Sequence, residues 1–292
     1  MRYAYYPGCS LDATARPYAE SVKAVAAALG MELVEIDDWN CCGATAYMSV
    51  NEVLSFCLSA RNLSQAARTS GTLVTPCSAC FTNLRKTEVY LVEFPEMKQK
   101  VDTALAEANM RYDGGVVTKH LLQAVVEDLG LEKIRPLVKR PLTGLRVAPY
   151  YGCQIARPYG IEDDSDNPTM LDELLGALGA TPIYYPMKTV CCGGSLMGTR
   201  EEVALRLCRN LLLCAEQDGA DCIAVTCPLC QINLDAYQIS INKNYGTDFH
   251  FPIVYFTQLM GLAFGLKIVE LGLQRCIVPA TDVVSRFAEV NS

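Results

Sequence analysis

A chain of 292 residues with 25 Lys and Arg against 32 Asp and Glu carries a formal charge of −7, which argues against a general binder of phosphate backbones, so no nucleic acid is expected as a partner. Hydrophobic residues make up 51% and charged residues 20%, a globular composition on a length that suits two domains. Fifteen cysteines stand beside two histidines; an odd count over so long a chain excludes a secreted disulfide framework, and many thiols in a reducing compartment point to metal or redox chemistry.

The N-terminus MRYAYYPGCS has no apolar core of a signal peptide. Arg2–Tyr6 is predicted as a short strand running into Pro7-Gly8-Cys9. A helix is predicted from Pro17 to Leu29, closed by Gly30. Glu32–Ile36 is a strand leading to Cys41-Cys42-Gly43, residues 51–69 are helical with Gly71 as the stop, and strand Leu73–Thr75 ends at Cys77. Residues 86–140 are expected to be mostly helical and to serve packing and connection. Arg146–Tyr150, Pro182–Tyr185 and Ile223–Thr226 read as a second set of strands. The longest near-apolar run, the 14 residues between Pro252 and Lys267, falls short of the ~20 needed to span a bilayer. It is predicted as a buried helix, and no transmembrane segment is expected. The working picture is a cytoplasmic protein.

The chain is written twice. Tyr6-Pro-Gly-Cys9 recurs as Tyr151-Gly-Cys153, and Ala15-Arg-Pro-Tyr18 as Ala156-Arg-Pro-Tyr159. Leu29-Gly30 recurs as Leu178-Gly179, and Cys41-Cys42-Gly43 as Cys191-Cys192-Gly193. Cys77-x-x-Cys80 with Asn83-Leu84 recurs as Cys227-x-x-Cys230 with Asn233-Leu234. Such ordered self-similarity implies a duplicated α/β domain pair with pseudo-two-fold symmetry, divided into residues 1–142 and 143–292. Strand–helix alternation implies Rossmann-like parallel sheets, whose ligands sit beyond the carboxyl ends of the strands. All three cysteine groups of each copy follow a strand end, so five thiols per copy can converge.

Each quintet exceeds the four ligands of a structural zinc or of an ordinary Cys₄ iron–sulfur cluster. A Cys-Cys-Gly turn can aim both thiols at one large object, with glycine supplying the unusual backbone angle. A group of several metal atoms suits five thiolates best. Structural zinc and metal-free thiol–disulfide chemistry remain open on spacing alone.

With these residues in view, the chain resembles the CCG-domain family, and its whole-length arrangement is similar to the B subunits of heterodisulfide reductase from methanogens. The resemblance implies two noncubane [4Fe-4S] clusters, one held by Cys9, Cys41, Cys42, Cys77 and Cys80, the other by Cys153, Cys191, Cys192, Cys227 and Cys230. It implies two-electron reduction of the small-molecule disulfide of coenzyme M and coenzyme B to two thiols. It also implies two electron-supplying partners of the same complex, a small ferredoxin-like protein and a flavin-containing one. The sequence carries no ferredoxin Cys-x₂-Cys-x₂-Cys-x₃-Cys-Pro run and no Gly-x-Gly-x-x-Gly turn, so neither NAD nor flavin is expected in this chain. An obligate partner surface would account for the apolar segment around Tyr255–Leu266. The alternatives are a CCG subunit of a lactate- or glycolate-oxidising complex or of a thiol:fumarate reductase, and a non-catalytic electron-relay or zinc-bound assembly subunit.

Around the quintets, Arg16 and Arg157 occupy matched Arg-Pro-Tyr positions, suited to anionic substrate groups or cluster sulfurs and equally to plain surface arginine at a helix start. Lys188 precedes the second Cys-Cys-Gly; it could meet a sulfonate or phosphate, with solvation the commoner role of such a lysine. Gln154 follows Cys153 and has no assigned role. Gly43 and Gly193 read as turn residues with their N–H groups turned towards the site. His120 and His250 read as structural, and Cys57, Cys208, Cys214, Cys222 and Cys276 as small hydrophobes outside the repeats, with Cys276 a candidate surface thiol.

Overall fold

The computed structural model describes residues 1–44, 47–161 and 163–287. Among the described residues, eight strands form two four-stranded, all-parallel sheets. The first comprises β1 (Arg2–Tyr5), β2 (Glu32–Glu35), β3 (Thr72–Thr75) and β4 (Val117–His120), in the order β2-β1-β3-β4. The second comprises β5 (Arg146–Tyr150), β6 (Thr181–Pro182), β7 (Cys222–Val225) and β8 (Ile253–Tyr255), in the matching order β6-β5-β7-β8. The register pairs Ala4 with Leu73 and Tyr5 with Val74 in one sheet, and Ala148 with Ile223 and Tyr150 with Val225 in the other. Of the central strands, β7 is apolar and buried throughout and β3 is buried from Leu73 to Thr75, as parallel strands covered by helices must be.

Topology positions the cysteines. From β1 the chain crosses to one side to make β2 and later to the other to make β3. The crevice therefore opens beyond the carboxyl ends of β1 and β3, where α/β sheets bind ligands. Cys9 begins a one-turn helix after β1, Cys77 caps the helix Ser78–Glu93 after β3, and Cys41-Cys42 follows β2. The second sheet repeats this with Cys153 after β5, Cys227 after β7 and Cys191-Cys192 after β6.

The two halves interlock through one helix each. The helix Arg16–Leu29, opened by Pro17 and closed by a left-handed Gly30, packs on the helix Phe256–Ala263 of the second half. Tyr18 stacks on Tyr255 with ring centroids 3.9 Å apart and planes 7° from parallel, and both rings are buried. Ser21 Oγ lies 2.7 Å from Thr257 Oγ1, and the Tyr18 hydroxyl donates to the Thr226 carbonyl at 3.2 Å. These contacts set the two switch points against each other.

Two expectations are corrected, and the mostly helical reading of residues 86–140 holds with one addition. The run after Pro252 is not one helix: it is a strand, β8, turning into the helix Phe256–Ala263, and both are buried within this chain, so the segment from Tyr255 to Phe264 offers no partner surface. Its apolar residues serve a strand buried on both faces and a helix between the halves, which periodicity alone does not separate. Residues 86–140 include a fourth strand, β4, paired to β3 from Thr72–Val117 to Thr75–His120. Finally, the strand predicted over Pro182–Tyr185 pairs only at Thr181–Pro182; the Thr181 and Ile183 N–H groups donate to the Leu145 and Val147 carbonyls at 2.8 and 2.9 Å, and proline, which has no N–H, is tolerated between them at this sheet edge.

Candidate metal centre

The ten repeated cysteines form one ladder of neighbouring thiols. It runs from Cys9 to Cys41 and Cys42, then to Cys80 and Cys77. From Cys77 it crosses to Cys227 of the other half, then continues through Cys230, Cys192 and Cys191 to Cys153. Cys42 and Cys80 are 3.4 Å apart, sulfur to sulfur, and so are Cys192 and Cys230. Cys77, Cys80, Cys227 and Cys230 are buried at the junction, whereas Cys9 and Cys41 are exposed. Cys41 accepts hydrogen bonds from the Cys42 and Cys9 thiols, which lower its pKa far below the usual thiol range. Cys191 is lowered in the same way by Cys153 and Cys192. Cys9 and Cys153, as the donors, are pushed up. Cys227 is lowered too, by Cys230 and Cys77, so at least one thiolate in each quintet is favoured by its sulfur neighbours, and thiolate is the form that binds metal.

Among the described residues, no group of three or more His, Cys, Asp or Glu side chains has the arrangement of a single-ion site. The sulfurs are strung along a ladder, not gathered round one point as tetrahedral zinc requires. The donor set fits a larger, soft, multi-atom group. Close approach is built into the backbone. Gly8, at φ 76°, and Gly152, at φ 74°, immediately precede the first cysteine of each quintet. A Cβ on Gly8 would stand 3.0 Å from Cys80 Sγ, and one on Gly152 3.1 Å from Cys230 Sγ. Gly8→Ala and Gly152→Ala are therefore each expected to lower iron incorporation severalfold and to cost ~1–3 kcal/mol, the range for a left-handed non-glycine residue. Iron analysis and urea unfolding under nitrogen would check this, and full iron content in both variants would contradict it.

The Cys-Cys-Gly turns are held alike in the two halves. Gly43 and Gly193 have φ of 74° and 91°, and a Cβ on Gly193 would lie 2.8 Å from that of Ala204. The Gly193 N–H points at Cys191 Sγ at 3.3 Å, and the Gly43 N–H bonds Cys41. Tyr6 donates to the Asn40 carbonyl at 2.8 Å and Tyr150 to the Val190 carbonyl at 2.7 Å. The Asn83 amide donates to the Cys42 carbonyl, and the Asn233 amide to the Cys192 carbonyl at 3.3 Å and the Gly194 carbonyl at 2.9 Å. Ser59 donates to the Cys42 carbonyl at 2.8 Å; in the second half the Cys208 thiol takes this place on Cys192 at 3.2 Å. Cys208 is thus more than a core hydrophobe. The sequence signal for the asparagines is their recurrence after each Cys-x-x-Cys; Ser59 and Cys208 carry none, because they are dissimilar residues standing 17 and 16 positions after Cys42 and Cys192.

The remaining candidates scatter. Lys188 is neither solvated nor free for an anion. It is 6% exposed, its Nζ donates to Asp172 Oδ1 and the Pro168 carbonyl at 2.9 Å each, and it lies over the Tyr151 ring. Its carbonyl accepts from the Tyr151 and Gly152 N–H groups at 2.9 and 3.0 Å, fixing the turn into Cys153. Arg157 is exposed, pairs with Asp166 at 2.7 Å and donates to the Thr189 carbonyl at 3.2 Å. Arg16, also exposed, starts the helix after the first quintet. Gln154 is exposed beside Cys153, and its carbonyl accepts from Thr82 of the first half. His120 is fully buried, with Nε2 against the Pro76 carbonyl at 3.1 Å and Nδ1 accepting from the Leu122 N–H; burial lowers its pKa to about 4. His250 is exposed. Cys222 is buried, whereas Cys57, Cys214 and Cys276 are half-buried.

The family model of the CCG cysteine-rich domain matches residues 3–85 and 147–235. The chain is 33% identical over 284 residues to the 8-methylmenaquinol:fumarate reductase membrane anchor subunit of Wolinella succinogenes, covering 96% of this chain and 98% of that one. It is 30% identical over 296 residues to a protein of Archaeoglobus profundus described as like the B subunit of heterodisulfide reductase, covering 99% of each. It is 29% identical over 269 residues to the B subunit of the ferredoxin/F420H2-dependent CoB-CoM heterodisulfide reductase of Methanosarcina acetivorans, covering 90% and 89%. Its fold is similar to the crystal structure of a hypothetical protein from Helicobacter pylori, with a TM-score of 0.77 and 15% identity over 96% of this chain; this chain spans about half, 52%, of that one. Among the described residues, no helix is long and apolar enough to cross a membrane.

Proposed function

Because this chain belongs to the CCG cysteine-rich domain family, as an oxidoreductase subunit of that kind, we propose that it is the disulfide-reducing subunit of an anaerobic electron-transfer complex. In this reading the halves 1–142 and 143–292 each hold one noncubane [4Fe-4S] cluster, on Cys9, Cys41, Cys42, Cys77 and Cys80 and on Cys153, Cys191, Cys192, Cys227 and Cys230. The substrate is a small-molecule disulfide of the coenzyme M–coenzyme B kind, and electrons come from a ferredoxin-like and a flavin-containing partner. The observation that carries the reading is the junction: Ser78, next to Cys77, lies with its Oγ 3.3 Å from Oγ1 of Thr226, next to Cys227, so the two quintets share one border. Cleaving R–S–S–R′ to two thiols takes two electrons and two protons, and two one-electron sites side by side meet that requirement.

Bound clusters would supply single electrons and iron with an affinity for sulfur. The chain's own residues do the rest. Gly8 and Gly152 let Cys80 and Cys230 lie against the backbone, Asn83 and Asn233 hold the Cys-Cys-Gly carbonyls in place, and Lys188 pins the turn into Cys153. Burial of Cys77, Cys80, Cys227 and Cys230 keeps water from the junction.

One observation favours a second reading, an electron-relay subunit of a quinol- or fumarate-linked complex. The relative from Wolinella, named for such a complex, matches nearly end to end. The decisive assay is anaerobic purification of the chain with its partners, followed by thiol release from the coenzyme M–coenzyme B disulfide with reduced viologen as electron source. Stoichiometric release of two thiols per disulfide is the expected result. Electron transfer to fumarate without any thiol release would replace the first reading by the second.

A further inference from the structure

Pro76 and Thr226 immediately precede Cys77 and Cys227, and the carbonyl of each accepts a hydrogen bond from a fully buried side chain. The donors are unlike. On Pro76 it is His120: its Nδ1 accepts from the Leu122 N–H at 3.1 Å, so the proton of the neutral ring sits on Nε2, which faces the Pro76 carbonyl at 3.1 Å. On Thr226 it is the Tyr18 hydroxyl at 3.2 Å, reaching across from the first half. Register explains the exchange. Strand β4 pairs His120 with Thr75, two positions before Cys77, and β8 pairs Tyr255 with Val225, two positions before Cys227. Tyr255 therefore stands where the second half would need its histidine, and its hydroxyl goes to Gln231 at 3.3 Å. Tyr18, stacked on the Tyr255 ring, brings the donor instead. Its counterpart in the repeat, Tyr159, is half-buried and stands edge-on to Tyr90, with ring centroids 6.2 Å apart.

We infer that His120 and Tyr18 are positioning residues for the two inner cysteines, holding the carbonyls of Pro76 and Thr226 and so setting how the two metal groups face each other. This rests on the reading of one cluster per quintet and not on the identity of the substrate. The carbonyl of Pro76 and the N–H of Cys77 belong to one planar peptide, as do those of Thr226 and Cys227, so a bond that holds the carbonyl also fixes the direction from which the cysteine projects. A buried carbonyl deprived of its donor turns to find another, and the cysteine turns with it. The first half thus supplies the support of both inner cysteines: one donor comes from β4, the other from the helix Arg16–Leu29.

The test uses the iron-loaded complex, purified and reduced without air. Tyr18→Phe keeps the ring and its stacking and removes only the donor. His120→Asn keeps an acceptor for the Leu122 N–H but is too short for Pro76, and His120→Gln returns an amide N–H near the lost Nε2. Tyr185→Phe is the control, removing an equally buried hydroxyl that donates to the Leu211 carbonyl at 2.9 Å. The readouts are iron content, thiol release and the dipolar broadening of the EPR signal between the two reduced clusters, which falls with the cube of their separation. Tyr18→Phe and His120→Asn are each expected to keep full iron, to alter the broadening and to cut thiol release about tenfold, within the range for residues that orient metal ligands. His120→Gln should recover at least half of the wild-type turnover, and Tyr185→Phe should change neither turnover nor broadening. Unaltered broadening in Tyr18→Phe, or an equal alteration in Tyr185→Phe, overturns the inference while leaving the cluster reading intact, and Tyr18→Phe decides alone if His120→Asn does not fold. The broadening needs no substrate, so it tests the inference whether or not the wild type releases thiols. Wild-type protein without iron overturns both, and iron analysis tells the two failures apart.

Discussion

Cys42→Ser is expected to leave the chain with about half of its iron, roughly four atoms of about eight if each half holds one four-iron cluster, and to cut disulfide turnover by more than about a hundredfold. Residues that merely hydrogen-bond to metal ligands cost 10–100-fold when changed, and Cys42 is proposed as a ligand itself. It is buried, 3.4 Å from Cys80, with its carbonyl held by Ser59 and Asn83. Serine keeps the size and the turn, so the fold should persist. Cys192→Ser should behave identically, because Asn233 and Cys208 support it as Asn83 and Ser59 support Cys42. Iron analysis, circular dichroism and thiol-release kinetics on the same preparations check all three points. Full iron and undiminished turnover in both variants would refute the ligand assignment.

The second large effect is on stability. Asp172→Ala is expected to cost about 3–5 kcal/mol in anaerobic urea unfolding, the usual loss when one partner of a buried ion pair is removed and the other charge is left behind. The Lys188 side chain is 7% exposed and that of Asp172 22%. Asp172 also accepts from the Tyr151 hydroxyl at 2.7 Å, so its loss unties the strand end next to Cys153. The double variant Lys188→Met with Asp172→Leu should recover most of the loss, because two apolar side chains of similar volume need no charged partner. Equal destabilisation in single and double variants would show that the pair's charges do not matter to the fold.

Much of this architecture is legible in the residues themselves. The duplication, the parallel α/β class and the strands feeding Cys9, Cys77, Cys153 and Cys227 follow from motif order and local punctuation, because Pro, Gly and short apolar runs act over a few residues. The strand β4 gives no such signal: Val117–His120 is four residues with polar Thr and Lys, made a strand by its pairing to β3 and not by its own propensity. β8 is concealed inside a longer apolar run whose burial on all sides erases any period. The role of Lys188 is equally hidden, because a lone lysine carries no sign of the aspartate sixteen residues upstream that pairs with it.

Determined by the sequence alone, then, are the presence of two quintets and the strand ends from which their members project: spacing and turn residues are local properties of the chain. Only the tertiary structure decides that the quintets meet near Cys77 and Cys227 and that the helices Arg16–Leu29 and Phe256–Ala263 lock the halves together. Those features depend on contacts between residues more than a hundred positions apart. Such contacts are chosen by the shape and burial of whole packed faces, and no short stretch of sequence records them.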